Sequence, residues 1–225
     1  MNRRVPIKVD PRIMLQTSSE SIPSLYEPIV EFLTNVDDSY ERLGTKLGKC
    51  VIEYVRGGTK NPSYLIIKDM AEGMSSKKVE ENFSNYGKKL SGTATRGYAG
   101  RGAKDSAAIG DLHIETIKDG KYTKASIKQN SKELLLINED KNISSELLNS
   151  VGVSKNKNGT KITLIIPPGR VSGASYHPYE KNLFDNIPSH YALQNILDQN
   201  NKSLDVIFKS KDIKGKKLIF IEPKG

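Results

Sequence analysis

Two strand–turn–strand signatures constrain this chain more than any other feature. Residues 50–56 and 64–68 are rich in β-branched and aromatic side chains and are separated by Gly57-Gly58-Thr59-Lys60-Asn61-Pro62, while residues 112–118 and 123–128 flank Asp119-Gly120. Gly and Pro break extended chain, and an Asp-Gly pair accepts the positive φ of a tight turn, so both regions read as antiparallel hairpins. Further strands are expected at 133–137, 161–166, 204–209 and 217–221, with a short one at 5–9. A helix over 25–43 has Ser24 as its cap and Glu27 as the capping-box partner. The spacing of Val79, Phe83 and Tyr86 predicts a second helix over 76–86, and shorter ones are expected at 103–109 and 189–199. Hairpins dominate over alternating βαβ units and no internal repeat is present. The expected fold class is therefore α+β: a two-layer α/β sandwich with a mostly antiparallel mixed sheet and helices on one face.

With 225 residues and 36% hydrophobic content, the chain can bury the core of one ordinary domain. Residues 1–24, which contain Pro6 and Pro11 and lack periodicity, read as an N-terminal arm ahead of a domain over 25–225. Cys50 is the single cysteine, which excludes an internal disulfide and a cysteine zinc site and suits a reducing compartment. No run approaches the roughly 20 apolar residues of a membrane span, so a cytoplasmic protein that does not engage a membrane is expected. The net charge of +9 suits an anionic partner such as nucleotide or DNA, although the lysines are spread along the chain and equally describe a solvated surface. His113, His177 and His190 show no metal-ligand spacing and read as structural or surface residues. Tyr176, Tyr179 and Phe184 read as packing under the final helix.

On the first helix, Glu31, Asn35 and Asp38 stand at i, i+4 and i+7, within about 40° of one another at about 100° per residue. Ile29, Leu33, Val36 and Tyr40 take the opposite stripe. Any amphipathic helix would do the same, so these three residues gain weight only from the segments downstream of them. Asp69 ends an apolar strand and leads into a turn holding Gly73 and Met74. The G-x-x-G-x-G run Arg96-Gly97-Tyr98-Ala99-Gly100-Arg101-Gly102-Ala103-Lys104-Asp105-Ser106 opens a helix, and Gly159-Thr160 opens a strand. Closely spaced glycines let backbone amides converge on phosphate oxygens, the helix terminus favours negative charge, and a lysine adds a point charge. The run lacks the strand-to-glycine connection of a Rossmann fingerprint and the G-x-x-x-x-G-K-[ST] spacing of a Walker loop.

In that order and at those separations, the segments resemble the GHKL ATPases of the Bergerat fold, a superfamily that includes gyrase B, MutL, MORC proteins and heat-shock chaperones. Residues 31–39 resemble the first motif, E-x-x-x-N-x-x-D-A, with Ser39 in place of alanine; residues 69–74 resemble D-x-G-x-G-M, with Ala71 in place of the first glycine. The resemblance covers residues 25–166 and is closest in flavour to the MORC-like and other hydrolytic members. It implies that Glu31 polarises the attacking water, that Asn35 holds Mg²⁺, and that Asp38 completes the nucleotide-binding motif. It further implies that Asp69 accepts the adenine amino group while Gly73 and Met74 lie against the base. Lys88, Gly97, Gly100, Arg101, Gly102, Ala103 and Lys104 would form a lid over the triphosphate, and the Thr160 hydroxyl would support Asp69. Ala71 implies a backbone with negative φ or a narrower turn. Glu31, where histidine kinases carry asparagine, favours hydrolysis of ATP over phosphotransfer. The implied output is ATP-driven formation of a homodimer by the N-terminal part of a longer protein with slow turnover. A non-hydrolysing nucleotide-gated module and a DNA-binding module are the alternatives.

Overall fold

The computed structural model describes residues 3–6, 22–57, 59–84, 102–129, 131, 133–155, 157–169 and 176–223. The first hairpin is β2 (Gly48–Val55) and β3 (Ser63–Asp69). The second is β4 (Asp111–Lys118) and β5 (Lys121–Ile127), turning at Asp119 and Gly120, both with positive φ. With β1 (Arg3–Pro6), β6 (Glu133–Asn142), β7 (Gly159–Ile166), β8 (Leu204–Ser210) and β9 (Lys214–Lys217) they form one nine-stranded sheet in the order β1-β6-β5-β4-β7-β3-β2-β8-β9. The β2–β8 pairing is parallel and the others are antiparallel. The expected mixed, mostly antiparallel sheet is therefore present. β1 starts earlier than the expected 5–9 and adds the arm's first residues to the edge at β6.

Cross-strand register sorts the side chains. Cys50, Ile52 and Tyr54 of β2 lie opposite Asp69, Ile67 and Leu65 of β3, which lie opposite Thr160, Ile162 and Leu164 of β7, which continue to Thr116, Ile114 and Leu112 of β4. Partners across a ladder share a face, so this row forms a continuous apolar surface with a polar strip, Asp69-Thr160-Thr116, at one end. Onto it are packed α1 (Tyr26–Arg42), α2 (Ser76–Ser84), α3 (Gly102–Asp105), α5 (Glu180–Asn186) and α6 (Gln194–Leu197), which bury Ile29, Leu33, Val79, Phe83, Leu183 and Ile196 in one core. One further helix, α4 (Ser145–Val151), lies against the other face at the β4–β5 end, where Leu147, Leu148 and Val151 meet Ile117 and Tyr122. There Glu115 accepts hydrogen bonds from Tyr122 and Ser150 (both 2.9 Å) and pairs with Lys161 at 2.8 Å; these partners hold its carboxyl below the usual range against the opposing effect of burial.

Two expectations shift at the C-terminal end. The last strand is Lys214–Lys217 and not 217–221, because the apolar residues after it turn to the helical layer: Phe220 and Ile221 donate their N–H groups to the carbonyls of Leu197 and Pro188. Of the aromatic cluster, Tyr176 is buried and Phe184 tilts against Phe208, but Tyr179 is exposed with the Arg56 guanidinium 4.1 Å from its ring. The three histidines have no shared site. His177 Nδ1 lies 2.7 Å from Ser63 Oγ, His190 accepts from the Ala192 N–H, and His113 lies on β4 across from Thr163.

Candidate functional site

Helix α1 begins where Ser24 and Glu27 lock the entering chain: Glu27 accepts from the Ser24 N–H (3.0 Å) and hydroxyl (2.7 Å), and Ser24 Oγ accepts from the Tyr26 N–H. From there the helix is buried on more of its circumference than an amphipathic surface helix. Ile29, Leu33, Val36 and Tyr40 face the core as the periodicity predicts, and Asp37 and Asp38 are only 5% and 7% exposed. Of the polar stripe, Asp38 is buried and Glu31 half-buried, and α3 packs against this helix. Asn35 remains exposed and donates from Nδ2 to Glu31 Oε1 at 3.4 Å. Burial raises the Glu31 carboxyl above its ordinary value, the Asn35 hydrogen bond opposes that shift, and the charge of Asp38 adds to it.

From α3 comes a residue that no sequence motif singles out. Asp105 is pushed up to about 7 by burial and by the charge of Glu31. Its Oδ1 is buried and has no hydrogen-bond partner among the described residues. A buried acceptor without a donor is uncommon and costs roughly 1–3 kcal/mol. Next to it Lys104 is 5% exposed, and burial brings its ammonium down to about 8.

Asp69 closes the same end of the sheet. Its Oδ1 accepts the Ala71 N–H at 2.8 Å, and the Thr160 backbone N–H also donates to the carboxylate. Burial outweighs both bonds and pushes the group up to about 6. Ala71 has negative φ and is buried, one of the two geometries that its substitution for glycine implied. Gly73 has φ +62, and a Cβ there would run into the Ile117 carbonyl, so only glycine fits without strain. Met74 donates its N–H to Thr116 Oγ1 at 2.8 Å; the Thr116 hydroxyl in turn reaches the Gly159 carbonyl (3.1 Å) and lies 3.2 Å from Thr160 Oγ1. Support for Asp69 from Thr160 thus comes through the backbone amide, whereas the hydroxyl is engaged with Thr116.

Helix α1 also anchors the turn after Asp69. Tyr40 donates its hydroxyl to the Lys49 carbonyl (2.9 Å) and accepts the Met70 N–H (3.1 Å), Ser39 Oγ accepts the Glu72 N–H (3.4 Å), and Arg42 pairs with Glu72 at 2.9 Å. The two halves of the candidate site are therefore fixed to one rigid element. A cleft of about 630 Å³ opens beside Met70 and Ala71, lined also by Tyr40, Leu43 and Ile143; neither Glu31 nor Asp69 lines it. Lys88, Gly97, Gly100 and Arg101 lie outside the described residues, while Gly102, Ala103 and Lys104 form the first turn of α3. Thr116 and Tyr40 were missed as site residues because the first is one polar residue in an alternating strand and the second falls on an apolar stripe.

No protein-family model matches the chain, and no curated protein matches it by sequence. Solved structures do match: the ATP-binding domain of topoisomerase IV from Francisella tularensis, in complex with a small-molecule inhibitor, aligns with 97% of this chain at a TM-score of 0.55 and 16% identity. The chain has the Bergerat fold. It spans 55% of the length of that solved chain. At this identity the likeness speaks for architecture, and within the Bergerat fold Glu31, Asn35 and Asp69 take their meaning from their own geometry.

Proposed function

We propose that this chain is a Mg²⁺-dependent ATP-binding module that hydrolyses ATP slowly and whose closure over the nucleotide drives two copies together. The observation that carries the reading is the fixing of two chemically different groups to α1. Glu31 and Asn35 lie on the helix itself, and Asp69 sits in a turn held to the same helix by Tyr40, Ser39 and Arg42. A Bergerat-fold chain of neutral function would have little use for a buried carboxyl at Asp69 whose charge is disfavoured.

In this reading Asp69 accepts the adenine amino group and keeps its two backbone donors, so that base recognition adds a third bond to an already oriented carboxylate. Gly73 allows backbone to approach the base. Glu31, raised by burial toward the working pH, is suited to take a proton from an attacking water. Lys104 and the glycine-rich residues Gly97, Gly100, Arg101 and Gly102, with Lys88 before them, would cover the phosphates; a phosphate beside Lys104 favours its charged form.

The donors present fit Mg²⁺. Among the described residues no group of three or more His, Cys, Asp or Glu side chains is arranged to hold a metal, and Mg²⁺ commonly uses one or two protein oxygens completed by phosphates and water. The side-chain oxygen of Asn35 and the orphaned Asp105 Oδ1 are hard oxygen donors of that kind, beside Glu31 as the base. Bound there, Mg²⁺ would neutralise phosphate charge.

Calorimetric titration of a non-hydrolysable ATP analogue into wild type and Asp69→Asn, with light scattering on the same samples, tests the proposal. Binding by wild type, lost in Asp69→Asn and accompanied by a doubling of mass, is expected. An absence of binding to wild type would overturn it. Turnover in Glu31→Ala equal to wild type would leave binding intact and remove Glu31 as the base, whereas binding without turnover in wild type would favour the non-hydrolysing module.

A further inference from the structure

The geometry points to Asp105 as a further member of the Mg²⁺ site, supplying its Oδ1 to the cation or to one of the cation's waters when nucleotide is bound. This rests on the nucleotide reading above. Asp105 ends α3, which lies across α1 and places its carboxylate within electrostatic reach of Glu31, the partner of Asn35. One feature of this arrangement is unfavourable as it stands: a carboxylate oxygen is buried without a donor where α3 packs against α1. That cost falls if a hydrated dication enters between the helices, because the orphaned oxygen gains a metal or a metal-bound water to face. An apolar residue at position 105 would pack against α1 without that cost. The carboxylate is therefore better explained by a ligand than by folding.

Asp105 would then be a positioning group in the ternary complex, and its loss would be felt in the metal-dependent part of nucleotide affinity.

The experiment measures the affinity of the non-hydrolysable ATP analogue in Mg²⁺ and in EDTA for wild type, Asp105→Asn and Asp105→Ala. Electron paramagnetic resonance titration of Mn²⁺ into the analogue-bound proteins is run alongside. Melting curves check folding; Asp105→Asn removes a disfavoured charge at constant shape and should melt at or above wild type. The expected result is an unchanged affinity in EDTA, a loss of about tenfold to a hundredfold in the gain conferred by Mg²⁺, and a matching loss of Mn²⁺ affinity. Asp105→Glu should recover part of that loss. Equal Mg²⁺ dependence and equal Mn²⁺ affinity in wild type and Asp105→Asn would overturn the assignment while leaving the nucleotide reading standing. Failure of wild type to bind the analogue in either condition would remove both.

Discussion

At Asp69 folding and the proposed chemistry make opposite demands. Burial favours the neutral acid, and its value moves from 3.8 to about 6. The folded chain therefore holds this proton more tightly than the unfolded chain, and the associated stability is complete below pH 3.8 and lost as pH rises through about 6. Asp69→Asn keeps an oxygen for the Ala71 and Thr160 amides and removes the titration. Its melting temperature should exceed that of wild type at pH 7, by the equivalent of about 2 kcal/mol after discounting for partial exposure, and the difference should disappear near pH 4. Differential scanning calorimetry across that interval measures it, alongside the loss of nucleotide binding in the same variant. Glu31→Gln separates the two proposed chemistries. Analogue binding should persist while turnover falls by about a hundredfold or more, read from phosphate release under single-turnover conditions. Glu31, Asn35 and Asp69 were legible in the sequence because their spacing along helix and strand is fixed by local geometry. Asp105 was not, since nothing in its own segment says that α3 will cross α1 and bring it against Glu31.

The turn between β3 and α2 is where element geometry becomes site geometry. Gly73 has positive φ and faces the Ile117 carbonyl, so Gly73→Ala adds backbone strain and a steric conflict with β4. A loss of about 1–3 kcal/mol in chemical denaturation is expected, with weaker analogue binding. Thr116→Val keeps the shape of the β4 side chain and removes the oxygen that accepts the Met74 N–H and donates to the Gly159 carbonyl. Leaving those buried groups without partners should cost about 1–3 kcal/mol, read from the same denaturation curves. The hairpins that frame this turn were legible from runs of β-branched and aromatic residues broken by turn-forming Gly, Pro and Asp-Gly, and Cys50, Ile52 and Tyr54 are buried on one face as period two demands. Helix α4 was not, although Ser144 caps it through the Leu147 N–H and Gly152 closes it at φ +82. Seven residues are too few for a helical period to stand out. The apolar run 218–221 misled for a different reason: apolar character reports burial, and here the burial is against helices instead of along a strand.

Across the whole molecule the sheet has two free edges among the described residues, β1 and β9. β9 reads Lys-Gly-Lys-Lys and is exposed at all four positions. With Lys209 and Lys211 before it, the β8–β9 hairpin gathers five lysines in residues 209–217, a local density that the even spread of charge along the sequence conceals. An exposed edge strand offers unpaired backbone groups to any other chain, and lysines on it make pairing costly by charge repulsion and desolvation. The same lysines would bind phosphate backbones if nucleic acid were the partner. The two roles separate in one variant. Lys214→Thr with Lys216→Thr lowers the net charge from +9 to +7 and leaves the Lys217–Asp205 pair at 3.1 Å intact. Threonine favours extended chain, so the edge should stay formed and become more adhesive. Without nucleotide, light scattering should rise with protein concentration above that of wild type and fall again when lysines are restored. DNA affinity, measured over a salt series, should keep the wild-type slope. A slope reduced by about two would show instead that these lysines contact phosphates, because each lost contact removes close to one unit. Any nucleotide-driven dimer would then have to be assigned to a surface away from β9, since the edge lysines oppose pairing there.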